Sequence, residues 1–199
     1  MEKNLLMIFI KNPVAGEVKT RLGASIGSAN ALQVYKKLLS HTREIAVQVK
    51  CDREIWYSSM IDRRDSWNSD LFEKKLQQGR NLGVRMSGAF QQAFEAGYEK
   101  AVIIGSDCPE LEPQHIEDAF DALRSEDAVI GPSEDGGYYL LGMKKYTPEI
   151  FSDIEWSTSS VFEETKRHFE QLGLTCKTLE VLNDIDTIED LKKSDLSLP

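Results

Sequence analysis

The sequence predicts an α/β fold, namely a three-layer α/β/α sandwich around a mostly parallel, mixed sheet. Apolar runs typical of buried strands alternate along the 199 residues with amphipathic runs typical of helices. The run KAVIIGS at 100–106 is almost wholly apolar, which is the pattern of a central strand in a parallel sheet. Polar clusters follow several strand-like runs, and such sheets bind ligands beyond the carboxyl ends of their strands.

The first half of the chain supplies two strands and two helices. LLMIFIK at 5–11 predicts the first strand, and Ser28 begins an amphipathic helix that reaches about residue 50. Residues 52–59 predict a second strand, which a loop at 61–70 follows. Apolar residues from Leu82 to Phe94 mark one face of the next helix, and Gly97 is a typical residue for its end.

The second half continues the alternation after the strand at 100–106. Pro113 begins a helix, because a proline at the first helical position loses no hydrogen bond. The remaining predicted elements are strands at 127–131 and 138–143, a helix from Ser157 or Thr158 to about 172, a strand at 174–182 and a short terminal helix. The sequence contains no repeat or linker, so we expect one domain over residues 1–199.

Charge and cysteine usage restrict the classes of function. A net charge of -9 argues against broad binding to nucleic acid or to anionic membranes. The 3 cysteines are far apart and odd in number, which disfavours a disulfide framework or a zinc site and favours the cytoplasm. The apolar run LLMIFI is too short for a membrane span. The sequence does not indicate an oligomeric state.

A basic loop, KNPVAGEVKTRLG at 11–23, follows the first strand of this acidic chain. It contains Lys11, Lys19 and Arg21, and Gly16 allows a tight turn. A pyrophosphate needs charge neutralisation and several N–H donors, and a loop that leads into a helix supplies both. Neither standard phosphate-loop pattern is present, so a solvated turn with surface ion pairs remains an alternative.

A second polar cluster, IIGSDCPEL at 103–111, contains Asp107 directly after the apolar strand. A carboxylate in this place is suited to a divalent cation, although a turn or helix cap explains it equally well. Cys108 has no nearby histidine in the sequence that would activate it, so we interpret it as a buried, inert thiol.

A third polar cluster, LNDIDTIEDL at 182–191, contains Asp184 and Asp186. We expect these two side chains to point to opposite faces, so that one faces the site and the other is solvated or caps the terminal helix. The turn PSEDGG at 132–137 contains two glycines that allow a close backbone approach to a ligand, or simply a hairpin turn. Trp156 is interpreted as a core residue in preference to one that stacks on a sugar ring.

Five motifs occur in an order that resembles a known family. KNPVAGEVKTRLG, QQGRNLGVRM, IIGSDCPEL, EDGGYYLLG and LNDIDTIEDL resemble the DUF2064 family, also called radical-SAM/selenodomain-associated transferases, over nearly the whole chain. The resemblance implies the nucleotide-diphospho-sugar transferase (GT-A) fold. It implies nucleotide binding by Lys11, Gly16, Lys19, Arg21, Gln78, Gly79, Arg80 and Gly83. It also implies that Asp107 and Asp186 bind Mg²⁺ or Mn²⁺.

The resemblance implies a metal-dependent glycosyltransferase that moves a sugar from a nucleotide sugar to a small-molecule acceptor. The implied catalytic residues are Lys19, Arg21, Asp107 and Asp135, and the implied substrate-binding residues are Glu134, Asp135, Gly136 and Gly137, with Asp135 or Glu134 as the base. One departure matters, because Ser106-Asp107-Cys108-Pro109 replaces the Asp-x-Asp of many glycosyltransferases. A single Asp and the VKTRL segment are closer to nucleotidyltransferases, which are the alternative. A non-catalytic nucleotide-binding module is the third hypothesis.

Overall fold

A single seven-stranded sheet organises the protein, whose computed structural model describes residues 3–196. The strands are β1 (Asn4–Ile10), β2 (Asp52–Tyr57), β3 (Glu73–Leu76), β4 (Lys100–Ile104), β5 (Ala128–Pro132), β6 (Tyr138–Met143) and β7 (Cys176–Thr178). The helices are α1 (Thr20–Ile26), α2 (Ser28–Ala46), α3 (Leu82–Glu95), α4 (Pro113–Ala122), α5 (Val161–Gln171) and α6 (Ile188–Lys193), with a 3₁₀ turn at Pro148–Phe151.

The order of the strands places the polar clusters at one edge of the sheet. The order is β3-β2-β1-β4-β6-β5-β7, and β6 runs antiparallel to both of its neighbours while the other strand pairs are parallel. This confirms the predicted mixed, mostly parallel sheet. The loops after β1 and β4 leave the sheet side by side, because these two strands are direct neighbours and point the same way.

Two hydrophobic cores cover the two faces of the sheet and confirm the three-layer architecture. Successive side chains of a strand point to opposite faces, and β6 shows this at its centre. Leu140 belongs to the core that contains Leu38 of α2. Leu141 belongs to the other core, which contains Phe90 of α3. Both leucines are fully buried, so β6 contributes equally to the two layers.

The sequence did not predict the edge strand β3 or the short helix α1. The sequence of β3, EKKL, contains three charged residues, and its side chains are exposed or half-buried. Lys75 nevertheless covers the buried ring of Trp56, with Nζ 5.5 Å from the ring centroid, and pairs with Glu54 at 2.6 Å. Charged side chains of this kind are usual on edge strands, and their apolar stems cover hydrophobic surface.

Other element bounds differ modestly from the prediction. The helix expected from Ser157 or Thr158 begins at Val161, and the strand expected at 174–182 is confined to Cys176–Thr178. None of the helices within residues 3–196 is both long and apolar enough to cross a membrane.

We expect Leu141→Ala to lower the free energy of unfolding by about 2–5 kcal/mol, because it opens a cavity in a fully packed core. Urea denaturation followed by circular dichroism measures this change. Leu71→Ala is the matched control, since Leu71 is 49% exposed and Leu141 is 0% exposed. Equal stabilities of the two variants would contradict the assignment of β6 to the centre of the packing.

Candidate functional site

A cavity of about 780 Å³ opens at the carboxyl ends of β1 and β4. Its size suits a nucleotide or another small molecule of that class. The basic side chains that line it are Lys11, Lys19, Arg21 and Arg85, and the acidic ones are Glu17, Asp107, Asp135, Asp184 and Asp186. Charges of both signs therefore face one another across a small volume.

Lys19 connects two of the five acidic side chains of the cavity. Its Nζ lies 2.9 Å from Oδ2 of Asp107 and 3.8 Å from Oδ1 of Asp186. Arg21 donates a hydrogen bond from Nη1 to Oδ2 of Asp186 at 3.2 Å. The four residues that the sequence analysis placed around a diphosphate thus lie together at one rim of the sheet.

The backbone of Lys19 adopts a conformation that is uncommon for residues other than glycine. Its φ is 49° and its ψ is 47°, which is the left-handed region, and it forms the N-cap of α1. A side chain in this region costs conformational energy that the surrounding structure must compensate. The residue is nevertheless buried, and its side chain is directed into the acidic cluster.

Tyr35 of α2 fixes the start of the basic loop. Its hydroxyl accepts a hydrogen bond from the Lys11 N–H at 2.9 Å and donates one to the Lys11 carbonyl at 3.0 Å. The same hydroxyl lies 3.2 Å from Oγ of Ser106, in the loop after β4. Burial and the charge of Asp107 raise the pKa of Tyr35, so the phenol stays protonated and holds the two loops together.

Asn12 attaches the other side of the basic loop to the segment that follows β2. Its side-chain oxygen accepts the N–H of Ser59 at 3.0 Å, and its Nδ2 donates to the carbonyl of Met60 at 2.8 Å. The side chain is buried, and its oxygen and nitrogen are both satisfied by these backbone groups. The start of the loop is therefore held between α2 and the segment that follows β2.

Both aspartates of the third polar cluster line the cavity, so the expectation that they point to opposite faces was wrong. Residues two apart in an extended segment share a face, and Ile185 between them is buried on the other side. The Ile185 N–H donates to the carbonyl of Asp107 at 3.0 Å, which brings this segment to the loop after β4. The alternation of Asp, Ile and Asp in the sequence was the signal for this arrangement.

Asp184 is a cavity residue that the sequence analysis did not assign to the site. Its Oδ2 accepts a hydrogen bond from Oγ of Ser133 at 2.9 Å. Burial, together with the charge of Asp107, raises the pKa of Asp184 to about 7. The cap of α6 is made instead by Thr187, whose Oγ1 accepts the N–H of Asp190. Both aspartates are thereby left for the cavity.

The turn that was expected to bind the nucleotide lies mostly beside the cavity. Its neighbours Gln77, Leu82 and Arg85 line the wall, whereas Gln78, Gly79, Arg80 and Gly83 do not. Gln77 donates from Nε2 to the carbonyls of Ile10 at 3.1 Å and Trp56 at 2.8 Å, at the carboxyl ends of β1 and β2. The residues that line the cavity therefore lie one or two positions away in sequence from those predicted.

The glycines of that turn serve internal packing. A Cβ at Gly79, where φ is +138°, would lie 2.7 Å from the side chain of Val84. A Cβ at Gly83 would lie 2.3 Å from the indole of Trp156. The carbonyl of Gly79 accepts a hydrogen bond from Nε of Arg85 at 3.0 Å. Gly79 and Gly83 thus allow the close packing that positions Arg85 and Trp156, which line the cavity.

The hairpin turn before β6 is divided between the cavity and the surrounding fold. Asp135 and Gly137 line the cavity, and Oδ1 of Asp135 accepts the N–H of Gly137 at 2.9 Å. Gly136 and Glu134 are not among the lining residues. A Cβ at Gly136, where φ is +88°, would lie 2.1 Å from the carbonyl oxygen of Ser159, so the close approach is to backbone and not to a ligand.

Two further residues of the predicted set lie away from the cavity wall. Glu134 is directed towards Lys193, with its Oε2 4.0 Å from Nζ. Gly16 has a φ of +85° with open space around its α-carbon, so it provides the turn of the basic loop and does not line the cavity.

Trp156 belongs both to the core and to the cavity wall. It is half-buried and stacks on Phe151 with ring centroids 6.4 Å apart and an interplanar angle of 29°. Trp156 also lines the cavity, as do the hydroxyl residues at 157–159 that follow it. This part of the cavity wall therefore combines an aromatic face with hydroxyl groups.

Cys108 is a buried thiol, as expected. It is 3% exposed. Burial, with a contribution from the charge of Asp184, raises its pKa to about 12. The nucleophilic form of a cysteine is the thiolate, so this thiol is inert near neutral pH.

The oxygen donors of the cavity are compatible with a divalent cation carried by phosphates. Within residues 3–196, no group of three or more His, Cys, Asp or Glu side chains is arranged to hold a metal ion. Mg²⁺ commonly binds one or two protein carboxylates and completes its coordination with water and substrate phosphates. Asp107 and Asp186 supply two carboxylates of this kind, and both contact Lys19.

Known proteins resemble the chain at several levels. Two 2-phospho-L-lactate guanylyltransferases match part of it: the protein of Methanocaldococcus jannaschii is 40% identical over 107 residues. That of Methanocaldococcus vulcanius is 36% identical over 77 residues. The matches cover 53% and 37% of this chain, but only 47% and 35% of the relatives.

A crystal structure from Desulfovibrio desulfuricans G20, of a protein provisionally named as a nucleotide-diphospho-sugar transferase, superposes with a TM-score of 0.89. It is 32% identical and the match covers 96% of this chain and 85% of that one, which confirms the GT-A-like fold. Residues 41–158, more than half of the chain, match the model of uncharacterized proteins conserved in bacteria called DUF2064. The protein therefore belongs to the DUF2064 family.

Proposed function

We propose that the protein is a metal-dependent nucleotidyltransferase. It joins the nucleoside monophosphate part of a nucleoside triphosphate to the phosphate of a small phosphorylated molecule and releases pyrophosphate. The observation that carries the proposal is the ammonium of Lys19 between two carboxylates, in a cavity that three other cationic side chains line. The partial matches to two guanylyltransferases support nucleotidyl transfer more strongly than the glycosyl transfer that the motifs first implied.

In the proposed reaction, a phosphate oxygen of the acceptor attacks the α-phosphorus of the nucleoside triphosphate. A new phosphorus–oxygen bond forms, and the bond to the oxygen that bridges the α- and β-phosphates breaks. The electron pair of that bond leaves on pyrophosphate. The attacking oxygen already carries negative charge near neutral pH, so this chemistry needs no general base. Asp135, whose carboxylate accepts the N–H of Gly137 in the same turn, is therefore not required as a general base.

Lys11, Lys19 and Arg21 are the proposed partners of the phosphates. Their side chains line the cavity, and their positive charges would neutralise the triphosphate on binding and the pyrophosphate as it departs. Asp107 and Asp186 are the proposed ligands of Mg²⁺ or Mn²⁺. When bound, such an ion adds positive charge at the phosphate oxygens.

Glycosyl transfer is the second candidate, favoured by the Desulfovibrio protein that is 32% identical and named for nucleotide sugars. In that reaction a nucleotide sugar occupies the same cavity, and the oxygen of an acceptor hydroxyl forms a bond to the anomeric carbon of the sugar. The bond from that carbon to the diphosphate breaks, and nucleoside diphosphate leaves with its electron pair. A hydroxyl must lose its proton, so this candidate retains Asp135 as the base.

A product assay separates the two reactions. The protein is incubated with each nucleoside triphosphate, Mg²⁺ or Mn²⁺, and a panel of phosphorylated small acids and sugar phosphates that includes 2-phospholactate. We expect pyrophosphate, measured with a coupled pyrophosphatase, to appear with at least one pair. Release of nucleoside diphosphate from a nucleotide sugar, without pyrophosphate from any pair, would favour glycosyl transfer. Nucleotide binding without any turnover would favour a non-catalytic module.

We expect Asp107→Asn to lower kcat/KM for pyrophosphate release by about 10²–10³, because it replaces a charged ligand of the proposed metal by a neutral amide. The amide has the shape of the carboxylate, so the melting temperature tests whether the fold is kept. Asp118→Asn is the control, since Asp118 lies on the exposed face of α4 and accepts only a helix side-chain hydrogen bond from Gln114. Equal activities of both variants would refute the role of Asp107.

We expect Cys108→Ala to keep the activity of the parent protein within about three-fold, because its thiol has a pKa of about 12 and supplies no nucleophile. The pyrophosphate assay measures this outcome. A loss of several hundred-fold, with an unchanged melting temperature, would show that the thiol takes part in the chemistry.

A further inference from the structure

The ammonium of Lys19 lies close to both Asp107 and Asp186, the two carboxylates proposed as metal ligands. Its Nζ contacts one carboxylate at 2.9 Å and the other at 3.8 Å. The Lys19 side chain is only 5% exposed, whereas those of Asp107 and Asp186 are 40% and 46% exposed. The ammonium is thus beneath the carboxylates, and the carboxylates face the cavity.

An ammonium in this position opposes a second cation. A divalent ion that approaches the two carboxylates meets the positive charge of Lys19 at short range, and burial weakens the screening of that repulsion by water. The ion also competes with Lys19 for the same oxygen atoms. Metal binding by these carboxylates alone is therefore unfavourable while the ammonium stays in place.

Arg21 is a weaker obstacle than Lys19. It pairs with Asp186 at 3.2 Å, but its side chain is 76% exposed, so water screens its charge and the side chain can move away. Water screens the charge of Lys19 much less, because its side chain is only 5% exposed, so the ammonium stays on the carboxylates until another anion reaches it.

We propose that Lys19 is an internal counter-ion that keeps Asp107 and Asp186 from binding a divalent metal until a polyphosphate enters the cavity. Phosphate oxygens offer the ammonium an alternative anionic partner, so the nucleotide draws Lys19 from the carboxylates and brings its own metal. Metal and nucleotide then favour each other's binding by the same factor. This inference rests on the proposed function, because it assumes that the two carboxylates are the metal ligands of that site.

The test measures binding of Mn²⁺ alone, with no nucleotide present. Electron paramagnetic resonance of free Mn²⁺ gives its Kd for the parent protein and for Lys19→Met, whose side chain is nearly as long but neutral. We expect Lys19→Met to bind Mn²⁺ at least about ten-fold more tightly than the parent, because the repulsion and the competition are both removed. Asp107→Asn in the Lys19→Met background should abolish that gain.

Lys11→Met is the matched control. Lys11 lines the same cavity, and the structure records no ion pair between it and Asp107 or Asp186, both of which it describes. The substitution therefore changes the net charge equally, and we expect the Kd of Mn²⁺ to change by less than about three-fold. If Lys19→Met does not fold by circular dichroism, Lys19→Asn replaces it, because asparagine tolerates the left-handed conformation.

Three outcomes would overturn the proposal. These are equal Mn²⁺ affinities for the parent and the neutral Lys19 variants, an equal gain from Lys11→Met, and a gain that survives Asp107→Asn. The result does not depend on turnover. Failure of the pyrophosphate assay would count against nucleotidyl transfer while leaving the Mn²⁺ comparison valid, so the two failures can be told apart.

Discussion

The contact between the Lys19 ammonium and the Asp107 carboxylate joins parts of the chain that are far apart in sequence. Lys19 belongs to the loop after β1, Asp107 to the loop after β4, and Asp186, the second partner, to the segment before α6. The parallel neighbours β1 and β4 bring the first two loops to the same edge of the sheet. The Ile185 N–H on the carbonyl of Asp107 brings the third segment there.

The cluster shows how an acidic protein holds a cavity suited to anions. Although the net charge of the chain is -9, four cationic side chains line the cavity, and two of them, Lys19 and Arg21, pair with carboxylates there. Asp184 lessens the excess of negative charge, because burial and the charge of Asp107 raise its pKa to about 7. The cavity therefore holds less negative charge near neutral pH than its five acidic side chains suggest.

The sequence predicted the fold well where burial leaves a clear pattern. β1 and β4 are apolar because both of their faces are covered, and the convergence of Lys19, Arg21, Asp107 and Asp186 follows from a parallel sheet. β3 was missed because an edge strand with charged side chains has no apolar pattern. The prediction for Asp184 was wrong because it placed residues 184 and 186 on opposite faces. Residues two apart in an extended segment share a face, so the spacing in the sequence already indicated that both aspartates face the cavity.

Glycine positions were the least predictable part of the site. A glycine allows another group to lie close to its backbone, but it does not indicate whether a ligand, another part of the protein or only a turn requires it. At Gly83 the neighbour is the indole of Trp156, and at Gly136 it is the carbonyl of Ser159. Only the packing of the segment at 156–159 against these two positions distinguishes the two explanations.

The close contacts at Gly83 and Gly136 limit how this cavity can diversify. Any side chain at either position would displace the segment that carries Trp156 and the hydroxyl residues at 157–159. Relatives that bind different small molecules should therefore keep both glycines together with Trp156, which packs on the core, and differ at 157 and 158, which line the cavity. Libraries designed to change the choice of small molecule are best confined to those two positions.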